Sequence, residues 1–295
     1  VIPDRASHGN DSTSGPRPTF DLQAHSLHSD GTLPAADVVA LAAAAGVEWF
    51  ALSDHDTVDG VPEALEAARA HGIRLSPAAE LSAVHKGYED LHVLGYELRH
   101  DDPELLATLH DLRGDRARRI EDMALRMREL GFELDEAVLT ARRAASKPLG
   151  RPHLADAILH HPANAARLAG EGIDGRNALF PAYLVPGAPG YVPRSRPTVP
   201  QAIEIIRAAG GLAIWAHPLF DVEPEELDEV LAFGFDGIET FYVHHDEQQT
   251  RLLYDECVRR GIYTTGSTDF HGPDHESMSS FRNFGLYGLE PRFWT

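Results

Sequence analysis

The sequence predicts an α/β fold in which strands alternate with helices around a parallel sheet. Three observations carry that prediction. Short apolar runs bounded by glycine or polar residues recur seven times, helical patterns separate most of them, and several of those patterns open on proline or an acidic residue and stop on glycine.

The expected strands are 20–24, 48–53, 73–78, 91–97, 212–216, 237–241 and 262–266. The expected helices are 34–45, 61–71, 199–209, 224–233 and 246–260, with Gly46, Gly72, Gly210 and Gly261 as stops, since glycine enters the left-handed C-cap conformation without strain. Only a dozen residues part the third strand from the fourth, too few for a helical crossover, so the fourth strand is expected to leave the parallel pattern. A sheet of this size commonly closes as a single-domain barrel, here a distorted one.

Two segments stand outside the alternation. Residues 1–19, rich in Asp, Ser, Gly and Pro and without an apolar stretch, read as a disordered leader to a domain running from 20 to 295. Residues 102–196 carry long helical periodicity at 105–130 and 151–161 and then a Pro- and Gly-rich stretch, and read as an inserted helical subdomain. This segment concentrates positive charge: Arg113, Arg116, Arg118, Arg119, Arg126, Arg128, Arg142, Arg143, Lys147 and Arg151. Most of these are expected on a solvated helix face paired with Asp and Glu, a minority reaching a phosphate.

Composition excludes several function classes. With 43% apolar and 24% charged residues the chain is an ordinary globular one, and its formal net charge of −20 opposes binding to duplex DNA through a general field. No apolar run is long enough to span a membrane, and no secretory signal is recognisable, so a cytoplasmic setting is expected. The single cysteine, Cys257, falls in a helical pattern and reads as a small core residue. Any metal site must therefore use nitrogen and oxygen ligands.

Such ligands cluster at strand positions. His25, His28 and Asp30 follow the first strand, Asp54, His55 and Asp56 the second, and Glu80 the third; His92 lies inside the fourth, His217 follows the fifth, and Asp269 and His271 follow the seventh. In barrels of βα units the residues after the strands meet at one mouth. Imidazole with carboxylate suits Zn²⁺, Mn²⁺ or Fe²⁺, and so many acidic groups brought together without cations would repel one another.

These motifs resemble the PHP family, named for polymerase and histidinol phosphatase domains. The resemblance spans roughly 20–291 and rests on His25 with Ser29-Asp30-Gly31, Asp54-His55-Asp56, Glu80, Leu91-His92-Val93, Ala216-His217-Pro218 and Asp269-Phe270-His271. It implies a distorted (β/α)7 barrel holding two or three divalent ions (Mn, Zn or Fe) and hydrolysing phosphate esters by metal-activated hydroxide. Carried over by position, Asp30, His55 and His271 are ligands of one ion, Glu80 a bridge between the two others, His92 and His217 ligands of the second, and His25 with Asp269 ligands of the last. One departure weakens that last ion: the family's His-x-His opening is Gln23-Ala24-His25 here, and an amide oxygen is a poorer ligand than imidazole.

The 102–196 segment is similar to that of small bacterial phosphoesterases of the family, the nucleoside 3′,5′-bisphosphate phosphatase and the exoribonuclease acting from the 5′ end. Gly150-Arg151-Pro152-His153, and Glu239 followed by His245, match motifs that contact phosphate there, which implies Arg151, His153 and His245 as phosphate-binding residues and His245 or His153 as proton donor. A lysine expected just before Tyr183-Leu184 is absent. The implied partner is a small nucleotide or short oligonucleotide. The alternatives are a histidinol-phosphatase-like phosphomonoesterase and a degenerate metal-binding domain of little activity.

Overall fold

A computed structural model describes residues 17–85, 88–144, 149–194, 196–218 and 224–294. Residues 1–16 of the expected leader, Lys147, and the side chains of Arg142 and Arg143 lie outside the described residues. Arg17, Pro18 and Thr19 belong to the fold: the Thr19 carbonyl accepts from the Glu48 amide at 2.6 Å, and the carbonyls of Arg17 and Pro18 accept from the Arg282 guanidinium.

The sheet has seven strands in sequence order: β1 (Phe20–Asp21), β2 (Trp49–Leu52), β3 (Arg74–His85), β4 (Tyr88–Tyr96), β5 (Leu212–Trp215), β6 (Gly237–Tyr242) and β7 (Tyr263–Ser267). All neighbouring pairs are parallel except those of β4, which runs antiparallel to both β3 and β5, as the short connection required. The Leu22 amide donates to the Gly266 carbonyl at 3.0 Å and Ala24 bridges to Phe270, so β1 meets β7 and the sheet is a nearly closed, distorted barrel. Glu80 lies within β3, not after it. That strand pairs with short β2 only as far as Pro77 and then continues against β4, which carries it past the mouth.

Helices α1 (Ala35–Ala44) and α2 (Val61–His71) cover β1 to β3, and α8 (Val199–Ala208), α9 (Pro224–Leu231) and α10 (Glu247–Arg260) cover the other side. α8 shows why such segments are helical. Val199, Ala202, Ile203 and Ile206 form one buried stripe at helical spacing, and Thr198 and Gln201 close a capping box at its start. Burying each of the larger side chains contributes about 1.5–3 kcal/mol. Cys257 is fully buried in the same cluster. The chain's aromatic end packs under the sheet, with Trp294 stacked on Tyr96 at 5.1 Å and Phe293 edge-on to Phe20 at 4.8 Å.

Between β4 and α8 come α3 (Pro103–Glu129), α4 (Glu136–Ala144), α5 (Arg151–Leu159), α6 (Ala165–Gly170) and α7 (Arg176–Leu179), which continues into a π turn (Phe180–Leu184). At 27 residues α3 is about 40 Å long and serves two cores. Leu105 and Leu109 pack with the barrel helices, whereas Ile120, Met123 and Met127 join Leu154, Ile158 and Tyr191 in a separate cluster. Arg118 and Arg128 pair with Asp115 and Glu136 as a solvated face would. Arg119 is 9% exposed, with Nε donating to the Val192 carbonyl at 2.7 Å, because α3 packs against the segment before α8. Among the described residues no helix is long and apolar enough to cross a membrane.

Candidate metal centre

The loop after β1 is the most constrained part of the mouth. It folds back so tightly that a Cβ on Gly31 would run into the His25 carbonyl, and the Leu27 amide closes it onto the Leu33 carbonyl at 2.8 Å. Asp54, from the end of β2, grips its inside: the carboxylate accepts from the Ser26 amide and hydroxyl, both at 2.7 Å, and from the Ser29 hydroxyl at 2.5 Å. That leaves the His25 imidazole and the Asp30 carboxylate facing inward.

Eight side chains from six chain positions then meet. His25, Asp30, His55 and His271 present ligand atoms within 4.8 Å of one another, as do His55, Glu80 and His92, and as do His25, Glu80 and Asp269. His217 closes the second group, its Nε2 lying 3.1 Å from Glu80 Oε1 and 3.3 Å from His92 Nδ1. Glu80 is the hub: fully buried, it faces His92 at 2.6 Å, His25 at 3.1 Å and His55 at 3.3 Å. Burial alone would raise its carboxyl, but His55, His92 and the neighbouring imidazoles hold it well below the usual carboxylate range. His25 and His55 each serve two groups, a sharing that sequence spacing could not reveal.

This arrangement fits divalent cations. His25 Nε2, Asp30 Oδ1, His55 Nδ1 and Asp269 Oδ1 are buried with no hydrogen-bond partner among the described residues, and the His25 ring is 4.3 Å from that of His271 and 4.5 Å from that of His55. Buried polar atoms left orphaned are expensive, and ligand atoms aimed at shared points are what a cation would satisfy.

The PHP domain pattern matches residues 21–112. A 3′,5′-nucleoside bisphosphate phosphatase from Chromobacterium violaceum is 30% identical over 266 residues, covering 86% of this chain and 87% of that protein. This chain belongs to the PHP family. A 5′-3′ exoribonuclease from Haemophilus influenzae is also 30% identical, over 259 residues, covering 86% of this chain and 90% of that one. Among solved structures, a protein from Bifidobacterium adolescentis described as a metal-dependent phosphoesterase superposes with a TM-score of 0.73 at 26% identity, covering 89% of this chain and 91% of its own. This PHP protein is accordingly a metal-dependent phosphoesterase.

Several residues of the PHP site lie behind the ligand atoms. Glu239, buried in β6, accepts from the His217 amide at 2.8 Å and from the Ser267 hydroxyl at 2.6 Å. Asp21 accepts from the Thr268 amide and hydroxyl at 2.9 and 2.7 Å and so aims the Asp269 loop. Tyr242 donates its hydroxyl to Asp269 at 3.2 Å. Asp56, fully buried beside His55, takes Arg116 at 2.8 Å and Arg194 at 3.5 Å, while Arg113 donates to its carbonyl at 3.2 Å. Burial opposes, yet the two guanidinium groups hold the Asp56 carboxyl below its usual value. Helix α3 is thereby tied to the mouth. Positive φ at Asp56, His217 and Asp269 (53°, 28° and 52°) places backbone strain in the ligand loops, where surrounding contacts must sustain it. The sequence signal for these supports was faint: Asp21, Tyr242 and Arg194 belong to no spaced motif.

Other predicted PHP residues are placed less directly. His153 caps α5, its Nδ1 accepting from the Gly150 amide at 3.1 Å, and Arg151 donates to the Leu184 carbonyl at 3.2 Å while lying over the Phe180 ring. His245, expected as proton donor or phosphate ligand, faces the main chain. It is 5% exposed, its ring nitrogens lie 3.1 and 2.9 Å from the Thr240 and Pro218 carbonyls, and burial lowers its pKa to about 4. A ring held between main-chain carbonyls positions the His217-Pro218 turn. His28 lies 3.9 Å from Glu63 on the outer side of the loop and does not replace the missing histidine.

Gln23 occupies that histidine's place. It is fully buried, donating from Nε2 to Glu80 Oε2 at 3.1 Å and accepting from the Ser267 hydroxyl at 3.4 Å. Gln23→His should raise metal occupancy at limiting Mn²⁺, since imidazole is the stronger ligand. Equal metal content by elemental analysis in both proteins would refute the role given to Gln23.

Proposed function

We propose that this phosphoesterase hydrolyses phosphate monoesters of small nucleotides, namely 3′,5′-bisphosphates or short 5′-phosphorylated RNA. The observation that carries the reading is the convergence of His25, Asp30, His55, Glu80, His92, His217, Asp269 and His271 on shared points, beneath an arginine-bearing segment tied to the same mouth. The relatives named for nucleotide and RNA substrates support it. In this reading the eight side chains hold two or three divalent ions (Mn, Zn or Fe). Such ions acidify water to a nucleophile at neutral pH and offset charge on phosphoryl oxygens.

The chain's own groups do the rest. Glu80 and Asp269 orient three imidazoles, those of His25, His92 and His217, toward the shared points, and the carboxylates beneath them hold the loops against collapse. Arg151 and His153, on the first turn of α5, are assigned to a non-reacting phosphate, for which a guanidinium fork is suited. Residues 102–196 form, in this proposal, a subdomain with its own core that covers the mouth and excludes long substrates.

The deciding experiment is a substrate panel on protein stripped with chelator and reloaded with Mn²⁺. Adenosine 3′,5′-bisphosphate and short 5′-phosphorylated RNA should turn over only in the reloaded enzyme. Faster turnover of histidinol phosphate than of either would overturn the nucleotide assignment.

A further inference from the structure

Two adjacent histidines follow β6, and the fold sends them in opposite directions. His245 turns inward to the main chain. His244 stands exposed at the rim, its ring edge-on to Tyr242 at a centroid separation of 5.5 Å. Tyr242 forms the plate between His244 and the metal centre: its phenol reaches Asp269 and its ring lies 5.3 Å from that of His217. Burial lowers the pKa of the His244 imidazole, the Asp269 charge opposing and the His217 charge adding to that, and neither of its ring nitrogens has a hydrogen-bond partner among the described residues. It is a titratable group held beside the centre with both nitrogens unspent.

We infer that His244 touches the departing oxygen of the substrate and gives it a proton as the ester bond breaks. The inference rests on the phosphoester hydrolysis proposed above, whatever the nucleotide. Water supplies the oxygen of the new P–O bond, and the ester P–O bond breaks with its electron pair left on the departing oxygen. That oxygen takes the imidazolium proton, and the proton released by the attacking water restores the imidazolium. His153 and His275 each have one ring nitrogen already engaged, His153 Nδ1 accepting from the Gly150 amide and His275 Nδ1 from the amides of Ser277 and Met278.

Proton donation matters most for the poorest leaving group, which supplies a direct test. His244→Ala and His244→Gln, loaded with Mn²⁺, should hydrolyse p-nitrophenyl phosphate nearly as fast as wild type. On phenyl phosphate and then a simple alkyl phosphate they should fall progressively behind, to about a hundredfold or more at the alkyl end. A uniform loss across the series, or no loss at the alkyl end, overturns the assignment. Melting temperature and metal content should match wild type, because the replaced side chain is exposed. His245→Ala, by contrast, should slow every ester alike, acting through the Pro218 main chain. A wild-type enzyme that cleaves the series but no nucleotide overturns the substrate proposed above and leaves the His244 comparison decisive. One inactive on all of them overturns both.

Discussion

Glu80→Gln should reduce kcat/KM on any phosphate ester by about a thousandfold or more, with metal content falling in the same preparation. The substitution keeps the volume of the side chain and removes its charge. In the native site one buried carboxylate faces His25, His55, His92 and His217, with Gln23 as a further donor. An amide cannot accept on both ends, so its nitrogen would point at two imidazoles whose ligand atoms should be bare. Both groups that use Glu80 lose its charge together, one of them keeping only the Asp269 carboxylate and the other none, which is why the effect should exceed that of losing one imidazole. The measurement is kcat/KM with elemental analysis over a Mn²⁺ titration. Turnover near the wild-type rate at any metal concentration would remove Glu80 from the centre.

The second large effect should appear in stability. Asp56→Ala leaves the guanidinium groups of Arg116 and Arg194 facing each other in a buried pocket without their carboxylate, and stranding a buried charge costs about 3–5 kcal/mol. Thermal unfolding should shift down by on the order of 10 °C. Adding Arg116→Met and Arg194→Met to the same protein should recover much of the loss, since apolar packing can replace a buried ion pair. If Asp56→Ala alone melts with the wild type, the carboxylate is not what ties α3 to the mouth. Activity should fall with stability, because Asp56 also sets the strained backbone next to His55.

Much of this protein was legible before its structure. All seven strands lie where glycine-bounded apolar runs placed them, five helix positions agree to within a few residues at their ends, and the irregular β4 followed from a connection too short for a helix. The eight ligand candidates were legible because histidine and carboxylate are rare beside buried strands unless something holds them there. What sequence periodicity overlooked, α4, α6, α7 and the π turn, are short segments whose few apolar residues only acquire a period once a second core exists to bury them.

What spacing left open in the site has one cause. Spacing places a side chain on the chain but says nothing of its direction, so two neighbouring histidines after β6 were indistinguishable until the turn sent His245 to the Thr240 and Pro218 carbonyls and His244 to the rim. Arg116 and Arg194 are nearly eighty residues apart along the chain and converge on Asp56 only because α3 and the segment before α8 pack together. The chemistry of the centre, nitrogen and oxygen ligands for divalent cations on an α/β frame, was determined by the sequence alone, because ligand type is a property of the residue. Which side chains are shared between groups, which carboxylates hold the loops and which of the two histidines after β6 faces the rim were decided only in three dimensions, because they depend on how distant backbones are oriented.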